Sequence, residues 1–518
     1  MKKGLIPIFL LVVLASNAQS FQIGGIEDQT LRQMQLQGKL PIDFSFTSRP
    51  YNSSDSINYH FINDWLEGIE EPSSNRKSKF SYSILPIAWK QQYNSHHPFG
   101  WNDGAFIPAK GYQTMLSAGI FAKAGPLSIQ LQPEVQYAAN PNFETSVLYG
   151  TSTNGAFKKI FPGQSSIRLN FKNVSLGLSS ENLWWGPGTN SSLLMSNNAP
   201  GFIHFSFNSN GPIRTPIGSF EWQLVGGKLE YDSTLLSQVT NFKPATAVVY
   251  PQTTDWRYMN GVSISWQPKW MKGVFFGVNR VFQVYNEDLK LPPSSFFKDY
   301  LPVFTTLFKQ KIIATEDNKN RDQEISLFSR WLFQKAHAEL YVEYGWNDHS
   351  YNIRDFIMAP AHSAAYLFGF KKLIPIKSNR KLLIESEITQ MQESIDRLVR
   401  EAGNWYEHSP ISTGYTHYNQ IMGAGSGFGN NVQMLSIKDI NGWKQWGVQM
   451  LRIQNNPTIS SIKWTDIVLG LNGQIRKENW IFNINSSFVF SHNYAWVNKQ
   501  QAFNFFGSLS AQYRINNF

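Results

Sequence analysis

From Phe80 onward, apolar and polar residues alternate. In Leu127 to Tyr137 the odd positions are Leu, Ile, Leu, Pro, Val and Tyr, and the even ones Ser, Gln, Gln, Glu and Gln. Ala338, Leu340, Val342 and Tyr344 oppose His337, Glu339, Tyr341 and Glu343; Leu382, Ile384 and Ile388 oppose Glu385, Glu387 and Thr389. Phe482, Ile484, Phe488 and Phe490 oppose Asn483, Asn485 and Ser487. A period of two is that of a strand, whose successive side chains point to opposite faces. An apolar face on strand after strand needs a non-aqueous neighbour, and lipid supplies one without a second sheet, while the polar faces line a wet interior. Such segments fall near residues 80, 112, 127, 165, 174, 202, 217, 258, 273, 323, 336, 361, 379, 413, 443, 462, 479 and 503. That is roughly eighteen, an even number in the range of single-chain membrane barrels, and closure leaves no unpaired edge in lipid. The expected fold is all-β: a transmembrane outer-membrane β-barrel of about 18 antiparallel strands over residues 80–518. The longer irregular stretches 138–164, 231–257, 283–322 and 392–412 then fall on alternate connections and read as extracellular loops.

Residues 24 to about 75 do not alternate. Ile57, Phe61, Ile62, Trp65 and Leu66 carry helical spacing, with Asp55 as a possible N-cap and Gly68 just beyond. A weaker helix is expected from Ile26 to Gln37, with Glu27 and Asp28 in its first turn and Gly38 after it. Two helices too short to stand alone must bury their apolar face on something. Residues 19–79 therefore read as an N-terminal periplasmic helical segment, against the alternative of a mobile arm.

The first residues add a destination. Lys2-Lys3, the apolar run Leu5 to Ala15 and Ser16-Asn17-Ala18 follow the order of a secretory signal peptide, 1–18, with cleavage after Ala18. The sequence holds no Cys, hence no acylated Cys, disulfide framework or thiolate metal site. Aromatic residues make up 15% of the chain, yet its mean hydropathy is only −0.31. Alternation with rings at two interfaces gives that combination in an outer-membrane barrel, and a secreted β-sandwich gives it too. The formal net charge is +10, or +8 without Lys2 and Lys3, which favours acidic partners such as anionic polysaccharide or lipopolysaccharide phosphates over nucleic acid in an exported protein. Ordinary solubilising charge on loops explains the balance equally well.

One stretch stands apart. Glu181 to Pro200, ENLWWGPGTNSSLLMSNNAP, sets Trp184 beside Trp185 and turns through Gly186-Pro187-Gly188; GFIHFSFNSNGPIRTPIGSFEWQ follows. These residues, with Ser-Phe-Thr-x-Arg-Pro at 45–50, resemble the capsule assembly Wzi family. The resemblance implies a surface lectin in the outer membrane, with a small N-terminal helical bundle closing the periplasmic end of its barrel. It would hold exported capsular or extracellular polysaccharide at the cell and take part in capsule assembly without bond-making chemistry. The other reading is a diffusion channel for solutes.

Sugars are held by aromatic faces on C–H surfaces, with carboxylates, amides and Arg on the hydroxyls. The candidate carbohydrate-binding residues are accordingly Glu181, Asn182, Trp184, Trp185, Arg214 and Glu221. The alternative makes Trp184 and Trp185 members of an interfacial girdle. His96-His97 and Glu316-Asp317-Asn318 lack metal-site spacing and read as solvated loops; no G-x-S-x-G, H-E-x-x-H or P-loop occurs. No enzyme, cofactor or metal is expected. Partners beyond polysaccharide are outer-membrane lipids with lipopolysaccharide and the barrel assembly machinery. Phe518, the residue that machinery would read, stands out of phase with the apolar positions of the last strand, Phe503 to Ile515.

Overall fold

The computed structural model describes residues 20–52, 62, 80–150, 155–236, 255–292, 294–305, 319–347, 357–358, 360–377, 379–392, 404–408 and 410–515. The expected signal peptide, Phe518, the acidic run Glu316-Asp317-Asn318 and the helix over Ile57–Leu66 lie outside them, apart from Ile62.

The alternating segments form a closed antiparallel barrel of eighteen strands, three of them kinked into two pieces each, such as Leu127–Leu131 with Glu134–Ala138. The first strand, Phe80–Asn94, pairs with the last, Gln501–Tyr513, from Ile87↔Tyr513 to Asn94↔Phe506, so that no wall edge is left open. One end carries turns as short as residues 125–126, 172–173 and 442–443; the other carries long connections such as 180–203, 286–321 and 391–430. The chain enters the first strand at the short-turn end, which is the periplasmic one in this class of barrel.

Parity is as the pattern requires. Val342 is exposed outward while Glu339, Tyr341 and Glu343 are buried inward, and Leu131 and Val135 face out between the buried Gln130, Gln132, Glu134 and Gln136. Rings ring the outside at both rims. Trp266 meets Phe220, Trp270 and Phe276 near the short turns, and Tyr344 packs on Trp346 near the long loops.

One strand differs. The segment near 413 is not in the wall; Asn431–Asn441 takes that place, and Thr416–His417 with Gln420–Ile421 makes a small hairpin inside. From Ile411 to Ala424 residues of both parities are buried apart from Tyr418, because this loop is surrounded by chain and has no lipid face to alternate with.

The interior is largely occupied. Helix Ile26–Leu36 lies within it, packing Leu36 on the wall residues Leu332, Leu373, Leu383 and Ile440 at the short-turn end. Phe21, Ile26, Leu31, Met34, Phe46 and the isolated Ile62 form a second cluster that reaches Ile481. Residues 180–203 fold inward from the opposite side, and Trp184–Trp185 pairs with Ser48–Arg49 as a two-stranded sheet. Around Trp185 a core of Leu193, Leu194, Met195, Trp405 and Tyr406 closes the middle. The polar wall face expected to be wet is therefore dry where these segments press on it: Glu339 and Glu343 are 0% exposed. Space remains along the wall that carries Gln449, Asn472, Asn485 and Ser508, a cavity of about 410 Å³.

Candidate functional site

The stretch Glu181–Pro200 fastens the inward-folded segments to one another and to the wall. Glu181, just past the strand Val174–Ser179, takes a 2.6 Å ion pair from Arg168 Nη2, a 2.8 Å hydrogen bond from Ser179 Oγ and another from Ser20 Oγ. Burial pushes its carboxyl up, and Arg168 with the two hydroxyls outweighs burial and leaves it below the usual carboxylate range. Asn182 donates to Ala199 O at 2.7 Å and exchanges two bonds with the Gln164 amide. Trp185 is fully buried, its Nε1 donating to Gln223 Oε1, and Gly261 leaves the room its ring needs. Trp184 is covered by the Arg49 guanidinium, 4.7 Å from its ring centre.

The turn that follows is a junction of charges. Gly186 has φ +112°, and a Cβ there would stand 2.8 Å from Glu343 Oε2. Arg32 Nη1 donates to Pro187 O at 2.9 Å, and Arg32 Nη2 pairs with Glu339 at 2.6 Å. Arg330 shares Glu339 and reaches Gln35 Oε1 and Ser45 O, each at 2.8 Å. The backbone N–H groups of Thr189, Asn190 and Ser191 converge on Glu387, the last at 2.7 Å, and Tyr341 Oη donates to the same carboxylate at 2.8 Å. Glu221 holds the other segment, accepting from Ser45 N at 2.6 Å and Tyr51 Oη at 3.0 Å.

Five of the six sequence candidates thus lie inside the barrel, in one continuous network. Arg214 is apart from them, its side chain 81% exposed at the short-turn end and paired with Asp43 at 2.7 Å. Neither Trp184 nor Trp185 presents a face to solvent in this arrangement, and neither faces lipid, so the girdle alternative is corrected: both rings belong to an interior sheet. The partners that complete the network, Arg32, Arg49, Arg168, Glu339 and Glu387, were not singled out from sequence. Charged residues on inward parity carried the signal, but their pairing depends on how two distant segments meet.

At the long-loop end another arrangement forms. His97, read from sequence as solvated, is 1% exposed and stacks on Tyr149 at 5.8 Å. Burial, with His96 adding to it, pushes its imidazole down to about 3, so it is neutral. Tyr494 and Trp464 sit 5.0 Å apart, and Trp496 stands edge-on to Trp464 at 5.0 Å. Asp466 accepts from Trp464 Nε1 at 2.7 Å and from Asn455 Nδ2 at 2.8 Å. His97, Tyr149, Trp464, Asp466 and Trp496, with Phe99, Trp101, Asn430 and Ile459, line a cleft of about 130 Å³. Sequence gave no pointer to it, because its walls come from five loops.

Comparison with known proteins places the whole molecule. No curated protein sequence matches the chain. Its fold is similar to that of the outer-membrane protein Wzi of Escherichia coli, described as involved in group 1 capsule assembly and as a carbohydrate-binding β-barrel, with TM-score 0.64, 13% identity, and 96% of this chain and 100% of that one covered. Pseudomonas aeruginosa OpdQ aligns over 84% of this chain and 98% of its own at 9% identity, but with TM-score 0.41. The family model for the capsule assembly protein Wzi matches residues 107–440, more than half of the chain, and the protein is thus an outer-membrane β-barrel that belongs to the Wzi family of capsule assembly proteins.

Proposed function

We propose that this protein is a non-catalytic surface lectin, which retains exported capsular polysaccharide through its outer loops while its lumen stays shut. The observation that carries the reading is the filled interior: helix Ile26–Leu36 and residues 180–203 meet across the barrel and are tied to its wall by buried ion pairs. A barrel shut by its own chain leaves the outer face as the surface where a polymer can act. The Escherichia coli structure described as a carbohydrate-binding barrel supports the ligand class. In this reading Glu181, Asn182, Trp184, Trp185 and Glu221 serve the ligand indirectly, by fixing the loops that rise from the network. Many weak contacts along a repeating polymer add up through multivalency.

The test compares the polysaccharide kept on cells with that shed into the medium, with and without the protein. A shift from retained to shed on deletion, reversed by re-expression, is the expected result. Unchanged retention would contradict the reading.

A further inference from the structure

Residues 294–305 lie on the outside of the wall. Along Arg257–Pro268 the odd positions turn inward, since a Cβ on Gly261 would meet Trp185; Asn260, Val262 and Ile264 therefore share the outward parity of Trp266. By register Phe282 and Arg280 face the same way, opposite Asn260 and Val262, and Gln323 stands opposite Phe282. Outward positions elsewhere on the wall are open to lipid, yet Arg280 is 5% exposed and Phe282 9%. What covers them is the segment that follows this strand. Val303 packs on Val262 and Phe282, and Arg280 Nη1 donates to Val303 O at 3.0 Å and to Thr305 O at 2.7 Å.

Depth decides what lies on the far side. Arg280 is four residues up its strand from Phe276, in the aromatic row near the short turns. At the usual strand rise and barrel tilt that is about 10 Å, inside an apolar band about 25 Å tall. Irregular backbone survives at such depth only when its polar groups are bonded. Here the N–H groups of Asp299, Leu301, Phe304 and Thr305 donate to carbonyls within the segment, Val303 N donates to Asn260 Oδ1 at 3.3 Å, and Pro302 has no N–H. Asn260 and Arg280, costly alone in hydrocarbon, thus serve this backbone, and Arg280 Nη2 also bonds Gln323 Oε1 at 2.7 Å. The segment's far side is apolar: Phe296, Phe297 and Phe304 are 67%, 70% and 62% exposed. Exposed Leu327 lies one outward position below Ile325, the partner of Arg280, so this apolar surface continues that of the wall.

We infer that residues 294–305 form a re-entrant strap, which dips from the long-loop end into the outer leaflet and binds its acyl chains through Phe296, Phe297 and Phe304, while shielding Asn260 and Arg280 from them. The occupant follows from continuity, because exposed rings at hydrocarbon depth that extend a lipid-facing wall meet the same lipid. The strap gives the barrel a lipid-holding surface distinct from its polysaccharide-retaining loops, so its failure would leave the lectin reading standing.

The experiment uses the full-length barrel in phosphatidylcholine liposomes. Because the sequence holds no Cys, a single Phe304→Cys or Phe297→Cys can carry a nitroxide label. Both labels should collide more with oxygen, which concentrates among acyl chains, than with a water-soluble nickel chelate. Val342→Cys on the wall should behave likewise, and Lys499→Cys, exposed on a turn, should show the reverse. A Phe304→Cys label that favours the chelate, or is shielded from both, would overturn the strap. So would spin–spin coupling between labels on two copies, the mark of a dimer contact. The shielding is read separately, by the temperature at which the barrel changes from fast to slow migration in detergent gels. Replacing residues 294–305 with an equally long Gly/Ser linker should lower it, and Arg280→Met in that chain should restore most of the loss. A linker variant as stable as the parent, or one that Arg280→Met does not improve, would contradict the sealing of this arginine from hydrocarbon.

Discussion

A methyl group on Gly261 would sit 2.6 Å from Trp185 Cη2, closer than two carbons can approach, so this wall glycine and this lumen ring are fitted to each other. Gly261→Val should prevent the interior segments from seating, and Trp185→Ala in the same chain should partly relieve the clash. By itself Trp185→Ala should cost about 3–5 kcal/mol of stability, as large-to-small changes of buried aromatic residues do. The temperature at which the barrel changes from fast to slow migration in detergent gels reports both effects. Glu339 gives a second test. Removing it with Glu339→Ala leaves Arg32 and Arg330 buried without their carboxylate, a loss of about 3–5 kcal/mol for a broken buried pair. The pair of changes Arg32→Met with Glu339→Leu should be less damaging than the single one. Acid should act on Glu181. Its carboxyl lies below the usual range in the folded protein, so its contribution is present above the unfolded value and disappears as pH falls through the lower, folded one. Hydrogen exchange near Ser20 should accelerate over that acidic window, and an exchange rate that ignores pH beyond its chemical dependence would refute the latch.

At the scale of single elements, the strand Ala338–Asn347 separates two environments, and the strand Gln501–Tyr513 shows a third. Cys introduced at Val342 should resist a water-soluble thiol reagent because lipid covers it. Cys at Glu343 should also resist, because Leu193 N and Ser326 Oγ bond to that position and no solvent reaches it. Cys at Ser508, on the wall the interior segments leave uncovered, should react. Equal labelling of Glu343→Cys and Ser508→Cys would contradict a lumen filled on one side. The wall was legible from sequence since alternation is local and lipid enforces it at every turn; seventeen of the expected segments lie in or beside wall strands. The segment near 413 misled because a loop buried on all sides loses periodicity, as Ile411 to Ala424 does. Glu181–Pro200 stands out in the sequence, but whether its Trp pair meets sugar, lipid or the interior is not encoded locally, and the fold buries both rings in an interior sheet.

For the whole molecule, the fold and family were open to sequence, but the interior was not. Arg32 with Glu339, Arg49 with Trp184 and Ser20 with Glu181 each join residues more than a hundred positions apart. Such pairings follow from how segments fold back into a closed wall, which no local pattern encodes. The cleft at the outer end has the same origin, with Trp101, Asn455 and Trp496 drawn from distant parts of the chain. The central claim, a shut barrel that holds polysaccharide on its outer face, is tested most directly by the binding of the purified, folded barrel to the polysaccharide that its own cells export. The account predicts binding with the interior segments in place, undiminished when Arg32 and Glu339 keep them fastened. Binding that develops only after those segments are released, or none at all, would contradict it.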